Sequence, residues 1–150
     1  MIHHIKTLIA ALSLGVLSAI AHAQATPAGL WKTIDDGTKK EKSLVRITEA
    51  GGVFTGKIEK LLDPAKADSV CDKCSDERKD KPIAGMTIIK AVKPSDSDKA
   101  MWDGGEILDP NNGKTYKVRL TPGDAGRTLA VRGYIGAPML GRTQTWVRVE

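Results

Sequence analysis

Histidine is absent from the sequence after position 22, although the chain has 150 residues. All three histidines, His3, His4 and His22, lie near the amino terminus. Ser-His-Asp and Cys-His catalysis, His-ligated zinc and imidazole pH switches all require this side chain. These kinds of site are therefore excluded from the rest of the chain. We predict a protein that is not an enzyme, with Asp/Glu or Tyr/Lys chemistry left open as an alternative.

Other signals of a functional site are also scarce. The two cysteines, Cys71 and Cys74, would need two further soft ligands to bind structural zinc. The carboxylates Asp103, Glu106 and Asp109 are too sparse for a calcium cluster. No basic stripe with interleaved aromatic residues indicates nucleic-acid binding, and no segment shows a convincing helical period. We therefore predict no metal, no cofactor and no nucleic-acid partner.

The longest apolar run lies at the amino terminus. A positively charged start precedes the apolar segment Thr7–Ile20, and small residues precede Gln24. This pattern predicts a secretory signal peptide at residues 1–23, cleaved after Ala23, and hence a periplasmic or secreted protein. The run is too short to span a bilayer comfortably, so we predict no membrane insertion. Residues 24–150 form the predicted single domain, whose oligomeric state the sequence does not indicate.

Short apolar segments separated by turn residues fill most of this domain. In Thr115–Thr121, for example, Tyr116, Val118 and Leu120 alternate with polar residues, which is typical of a half-buried strand. Similar patterns predict eight strands: Gly29–Ile34, Ser43–Thr48, Val53–Leu62, Met86–Val92, Met101–Leu108, Thr115–Thr121 and two within Arg127–Glu150. The predicted fold is therefore all-β, a single antiparallel barrel of about eight strands that leaves no exposed sheet edge.

Two short motifs resemble those of lipocalins. Gly29-Leu30-Trp31 on the first strand is similar to the Gly-x-Trp signature of that family. Arg148 on the last strand is placed to stack on Trp31, as a basic residue does where lipocalins close one end of the barrel. A guanidinium over an indole contributes about 0.5–2 kcal/mol, and a plain core role for Trp31 is compatible with this. The resemblance implies a lipocalin/calycin-like β-barrel.

The whole domain also resembles a family of exported bacterial proteins, domain-of-unknown-function family twenty-one forty-seven. The similar segments are Gly29-Leu30-Trp31, Cys71–Cys74, Trp102–Pro110, Gly113–Tyr116, Val131–Tyr134 and Arg142–Trp146. This resemblance implies the same barrel and supplies no activity. The chain lacks the Thr-Asp-Tyr motif of lipocalins and the helix that follows their barrel. A narrow or filled interior is therefore an alternative to a roomy cup.

The segment Asp63–Pro82, here called the Cys segment, is mostly charged and contains both cysteines. Loops of this length are usually functional or mobile, and we expect this one to lie over one mouth of the barrel. In an exported protein the pair Cys71 and Cys74 predicts a disulfide, which contributes about 2 kcal/mol at most because the loop it closes is short. Redox exchange and metal binding are the alternatives, although the strand-then-helix context of a redox motif is missing.

The last two strands carry the most specific ligand hypothesis. Arg132 and Tyr134 share one strand face. In fatty-acid-binding barrels, which this chain resembles in size, an Arg-x-Tyr pair inside the barrel binds a carboxylate, and a guanidinium fork suits that geometry. The alternative is that the apolar residues Leu129 and Val131 face the core, which leaves Arg132 and Tyr134 in water.

Four further residues complete the predicted ligand-binding set: Arg142 and Trp146 on the last strand, Trp102, and Met86, a residue type that suits adaptable apolar pockets. We predict non-covalent binding of a small apolar or amphipathic molecule, in one version an anionic one, in or at the mouth of the barrel. The alternative is an envelope protein-interaction module with a packed barrel and no ligand. An apolar cavity of some hundreds of cubic ångströms would favour the ligand.

Overall fold

The computed structural model describes residues 25–150, so the predicted signal peptide lies outside the described residues. The described chain contains eight strands, in the places predicted: β1 Gly29–Ile34, β2 Glu41–Ala50, β3 Val53–Leu61, β4 Thr87–Pro94, β5 Trp102–Asp109, β6 Lys114–Gly123, β7 Thr128–Tyr134 and β8 Arg142–Arg148. Three single-turn 3₁₀ helices lie in the connections: Pro64–Lys66, Asp124–Gly126 and Pro138–Leu140.

Every strand pairs antiparallel with its neighbours in sequence, and β8 pairs with β1 to close the barrel. At this closure Trp31 lies opposite Arg148 and Lys32 lies opposite Val147. Closure leaves no sheet edge with unpaired backbone groups, which an open sheet would expose to other chains. The prediction of a closed, all-β barrel of eight antiparallel strands is confirmed.

The up-and-down order of the strands gives the barrel two different ends. The start of β1, the β2–β3 turn and the end of β8 lie at one end, here called the closed end. The connections at 35–40, 62–86, 110–113 and 135–141 lie at the other end, here called the mouth. The connection at 62–86 is the longest of these and includes the Cys segment.

Bulky side chains fill the interior near the closed end. Trp31 is fully buried and donates its indole N–H to the Pro27 carbonyl at 2.7 Å. Phe54 and Trp102 pack edge to face, with ring centroids 6.1 Å apart. Burying each such side chain contributes about 1.5–3 kcal/mol, and their volume leaves this half of the barrel packed.

Arg148 seals the same end from the carboxyl-terminal strand. Its guanidinium carbon lies 4.2 Å from the ring centroid of Trp31. The same guanidinium donates hydrogen bonds of 2.5–3.0 Å to the backbone carbonyls of Gly126, Ala28 and Thr26. Arg148 therefore ties β8 both to the segment before β1 and to the β6–β7 connection.

Strands β4 and β5 are well buried near the mouth. Ile89 and Ile107 lie opposite each other on the two strands. Their neighbours Ile88 and Leu108 are only 5% and 2% exposed, and Cys71 and Cys74 belong to the same buried apolar cluster. The Cys segment therefore packs against these two strands.

Candidate functional site

At the mouth, the interior of the barrel opens into a cavity of about 1120 Å³ that extends between the connections at this end. Ligand sites for small molecules typically measure about 300–1,000 Å³, so this volume is sufficient for one. The cavity exists because interior positions near the mouth carry short side chains, Thr33, Ser43 and Gly133, where the closed end has tryptophans. Its apolar lining includes Ile58, Leu61, Ile83, Ile88, Ile107, Leu108, Val131 and Trp146.

A chain of polar side chains runs from the rim into the cavity along β8. The indole N–H of Trp146 donates to Gln144 Oε1 at 3.3 Å. Gln144 Nε2 in turn donates to Asp36 Oδ2 at 3.1 Å, and Arg142 pairs with the same oxygen. The Asp36 carboxylate thus compensates the charge of Arg142 and orients the amide of Gln144 within the cavity wall.

Uncharged hydrogen-bonding groups occupy two other places in the lining. The hydroxyls of Thr33 and Ser43 lie 2.7 Å apart, and both residues are buried. Asn112 donates from Nδ2 to the Tyr116 hydroxyl at 2.9 Å. Because hydroxyls both donate and accept, these pairs can exchange a mutual hydrogen bond for one to a ligand.

The charges around the cavity are nearly balanced. Six carboxylates line it: Asp35, Asp36, Glu41, Asp63, Asp72 and Asp109. Five basic residues line it as well: Lys40, Lys42, Lys66, Lys73 and Arg142. The cavity is therefore not a basic pocket, and its lining does not select for anions by net charge.

Within the Cys segment, Cys71 and Cys74 form a disulfide, so the predicted bond is confirmed. The two cysteines are 0% and 3% exposed and belong to the same apolar cluster as Ile88 and Leu108. The first part of the segment lies along the rim of the cavity, as expected. The second part lies against β4 instead of crossing the mouth, and it contacts that strand at Thr87 and Lys90.

Arg78 anchors this second part. Its guanidinium pairs with the Asp76 carboxylate at 2.6 Å and donates to the Thr87 carbonyl on β4 at 3.0 Å. A neighbouring pair, Glu77 with Lys90, spans 3.3 Å to the same strand. Exposed ion pairs contribute little, but Arg78 is only 8% exposed. Its hydrogen bonds therefore hold the Cys segment more firmly than a surface pair would.

Acidification is expected to loosen this anchor. The side-chain hydrogen bond from Arg78 lowers the pKa of the Asp76 carboxyl from 3.8 to about 2. A carboxylate whose pKa is lowered in the folded state contributes fully to stability at a pH above its unfolded-state pKa. This stabilisation is lost as the pH falls through the folded-state pKa. Amide protection factors in residues 76–87 should therefore fall between about pH 4 and pH 2. An Asp76→Asn variant should show weaker protection at pH 5 and a smaller transition, since Glu77 still titrates there with a lowered pKa. An identical acid transition in both proteins would contradict the assignment.

The structure separates the predicted ligand-binding residues of the last two strands. Arg142 and Trp146 line the cavity. Arg132 and Tyr134 do not, because Leu129 and Val131 occupy the inward positions of β7 and leave the other parity outside. Tyr134 instead receives the Arg119 guanidinium at 5.7 Å from its ring centroid. Of the two alternatives for β7, the apolar face toward the core is the one observed.

The two remaining predicted residues also lie away from the cavity lining. Trp102 is 6% exposed and packs on Phe54 near the closed end. Met86 is buried just before β4 and lines a shallow outer cleft beside Arg78. Residue type alone identified both as apolar contacts. Trp102 is separated from the cavity because it lies at the closed end, whereas Met86 lies at the mouth end but contacts the outer cleft.

Sequence reasoning missed the residues that create the cavity. Thr33, Ser43 and Gly133 sit at inward positions, and their small size was the available signal. Asp36, in the β1–β2 connection, is also outside the predicted set, and it is the partner of Arg142. Among residues 25–150, no group of three His, Cys, Asp or Glu side chains is arranged to hold a metal ion. No helix in that part of the chain is long and apolar enough to cross a membrane.

Comparisons with known proteins agree with this architecture. A solved structure described as "Protein HP1028 from the human pathogen Helicobacter pylori belongs to the lipocalin family" is similar, with a TM-score of 0.71 and 23% identity over 84% of each chain. That likeness shows a lipocalin-like fold. No curated protein matches the chain. The family model described as "Uncharacterized protein conserved in bacteria" matches residues 29–148, and the chain therefore belongs to that family, DUF2147.

Proposed function

We propose that this protein binds a small apolar or amphipathic molecule non-covalently in the cavity at the mouth of the barrel. The observation that carries the proposal is the cavity itself, about 1120 Å³ with an inner wall of aliphatic side chains and Trp146. Burial of apolar surface is the main driving force for a ligand in such a site, at about 25 cal/mol per Å². The lipocalin-like fold supports the same conclusion.

The polar groups favour a ligand with an uncharged or zwitterionic head. Arg142 already pairs with Asp36, and Arg132 lies outside the barrel. An anionic head would have to compete with the Asp36 carboxylate for Arg142 and would lose the solvation it has in water. An uncharged hydroxyl or amide would instead find Gln144, Thr33 and Ser43 as partners without that cost.

The alternative, an interaction module with a packed barrel, has less support. Packing is dense near the closed end, but the interior positions beside Gly133 leave space in the half of the barrel at the mouth.

We further propose that the protein acts in the periplasm or outside the cell. A buried disulfide fits an oxidising compartment, and the sequence pattern of residues 1–23 predicts export.

Filling the cavity from β7 is the sharpest test of the proposal. A Cβ added at Gly133 would lie 3.5 Å from Tyr116 Cβ and 3.8 Å from Ile107 Cγ2, both ordinary contacts. A Gly133→Leu variant should therefore fold and project its side chain into the cavity. We expect the neutral fluorescent probe N-phenyl-1-naphthylamine to bind this variant at least about tenfold more weakly than wild type, a loss of about 1.4 kcal/mol.

Gly133→Ala is the matched control, because it changes the same backbone position and adds little volume. It should bind the probe within about twofold of wild type, and circular dichroism should show the same fold for all three proteins. Equal binding of the probe to Gly133→Leu and wild type would remove the cavity as the site. Native mass spectrometry of the protein from its own compartment should then find no co-purifying small molecule in the barrel.

A further inference from the structure

The connection between β7 and β8 carries an exposed apolar surface. Ile135, Met139 and Leu140, here called the apolar tip, are 64%, 82% and 77% exposed, the highest values among the large apolar side chains of the described chain. The connection lies at the mouth end, but these three residues do not line the cavity. Adjacent large apolar side chains on a surface usually mark an interaction site.

The tip is held in place by the strand beneath it. Arg132 donates to the Pro138 carbonyl at 2.7 Å, to the Thr143 hydroxyl at 2.8 Å and to the Met139 carbonyl at 3.4 Å. The 3₁₀ turn Pro138–Leu140 shapes the backbone above this guanidinium. The apolar side chains are thus presented outward on an ordered turn, with a cation directly below them.

The strands that support the tip are basic. Between Asp109 and Glu150 the sequence has one acidic residue, Asp124, against seven basic ones: Lys114, Lys117, Arg119, Arg127, Arg132, Arg142 and Arg148. Asp124 pairs with Arg127 at the closed end, far from the tip along the strand.

The outer face of β6 and β7 concentrates part of this charge near the mouth. Arg119 lies opposite Arg132, and Lys117 lies opposite Tyr134. The acids that approach this sector from neighbouring elements are Glu106, opposite Lys117, and Asp36, which pairs with Arg142. Positive charge therefore exceeds negative charge around the tip.

We propose that the apolar tip docks the mouth of the barrel onto an anionic lipid bilayer surface. Exposed apolar side chains beside basic residues are the combination that binds the interface of anionic membranes, the first by apolar burial and the second by attraction to head groups. Met139 and Leu140 enter the boundary between head groups and acyl chains. Arg132 and Lys117 remain at the level of the phosphates.

The charge pattern also decides against the other occupant of such a surface, a second copy of this chain. A symmetric dimer through the tip would bring two basic sectors together, and like charges across an interface oppose association.

Docking on a bilayer has a direct consequence for the cavity. Because the tip and the cavity opening lie at the same end, an amphipathic molecule could pass between the membrane and the barrel over a short path.

Vesicle co-sedimentation tests the proposal with the full domain. Wild type should bind vesicles containing phosphatidylglycerol at least about tenfold more strongly than pure phosphatidylcholine vesicles, and added salt should weaken that binding. The double variant Met139→Ser/Leu140→Ser should bind about tenfold more weakly than wild type. Val149→Ser is the matched control, because Val149 is 49% exposed but lies at the closed end, and it should bind as wild type does.

Two results would overturn the proposal. One is equal vesicle binding by wild type and the tip variant. The other is no vesicle binding by wild type. If sedimentation then shows a concentration-dependent dimer that the tip variant abolishes, the tip is a self-association surface. The cavity-filled Gly133→Leu variant should bind vesicles as wild type does. Loss of membrane docking and loss of ligand binding are therefore separable in the same set of proteins.

Discussion

Replacing Trp31 with alanine is expected to remove about 3–5 kcal/mol from the free energy of unfolding. Trp31 has no exposed surface, and its indole packs at the base of the barrel. The variant would lose that apolar burial, leave a cavity and remove the ring on which Arg148 stacks. Since domains of this size are stable by about 5–15 kcal/mol, the loss should be large in denaturant unfolding. Val147→Ala, on the exposed side of the same closure, should change stability by less than about 0.5 kcal/mol.

The contribution of the stacked pair can be isolated with a double-mutant cycle. Arg148→Ala removes the guanidinium from Trp31 and leaves three backbone carbonyls without their donor. Arg148→Lys should recover part of that loss, since lysine keeps the charge but not the planar fork. We expect Trp31 and Arg148 to be coupled by about 1–2 kcal/mol. Additive single-variant effects would show that the two side chains stabilise the barrel independently.

This closure was accessible from sequence because both partners lie in recognisable local patterns. Gly29-Leu30-Trp31 opens the first strand, and Arg148 ends the last one. The structure adds the physical reason for the glycine. A Cβ at Gly29 would lie 2.3 Å from the Arg148 Nη1 atom and 2.7 Å from the Glu150 carbonyl. Glycine is therefore the residue that lets the guanidinium reach the Trp31 ring.

The eight strands were predictable for a similar reason. Alternation in β6 and punctuation by Gly, Pro, Asn and Asp are local properties, and an up-and-down barrel joins strands in their sequence order. The strong burial of β4 and β5 also left a local signal. The adjacent apolar pairs Ile88-Ile89 and Ile107-Leu108 break the alternation that is typical of a half-buried strand. Such pairs indicate a strand with little exposed surface, against which another part of the chain packs.

The cavity was not predictable in the same way. Its volume depends on which small residues meet across the interior, and Thr33, Ser43 and Gly133 come from three separate strands. No local sequence pattern indicates which small residues face one another across the interior. The face of β7 was ambiguous because a ligand-binding barrel can turn polar residues inward, and Arg132 with Tyr134 fitted that possibility. The size of Leu129 and Val131 decides the question in the packed structure.

The second large effect is expected where the Cys segment meets the β5–β6 turn. Gly113 approaches this segment so closely that an added Cβ would lie 1.9 Å from the Lys73 carbonyl oxygen and 2.9 Å from the Cys74 nitrogen. Its φ of +72° is also a conformation that other residues adopt at a cost of about 1–3 kcal/mol. Gly113→Ala must therefore displace either the turn or the disulfide-bearing segment, since both contacts involve backbone.

We expect Gly113→Ala to expose the disulfide to reductant. In wild type Cys71 and Cys74 are almost fully buried, so attack by a thiol requires local opening. Lowering the cost of that opening by about 1.4 kcal/mol or more should accelerate reduction by dithiothreitol at least about tenfold, measured by thiol labelling. Gly52→Ala is the matched control, because Gly52 has a φ of +81° but nothing within 4 Å of the added Cβ. If both variants accelerated reduction equally, global destabilisation would explain the effect. Acceleration by Gly113→Ala alone would show that this contact holds the Cys segment against the barrel and shapes the rim of the cavity.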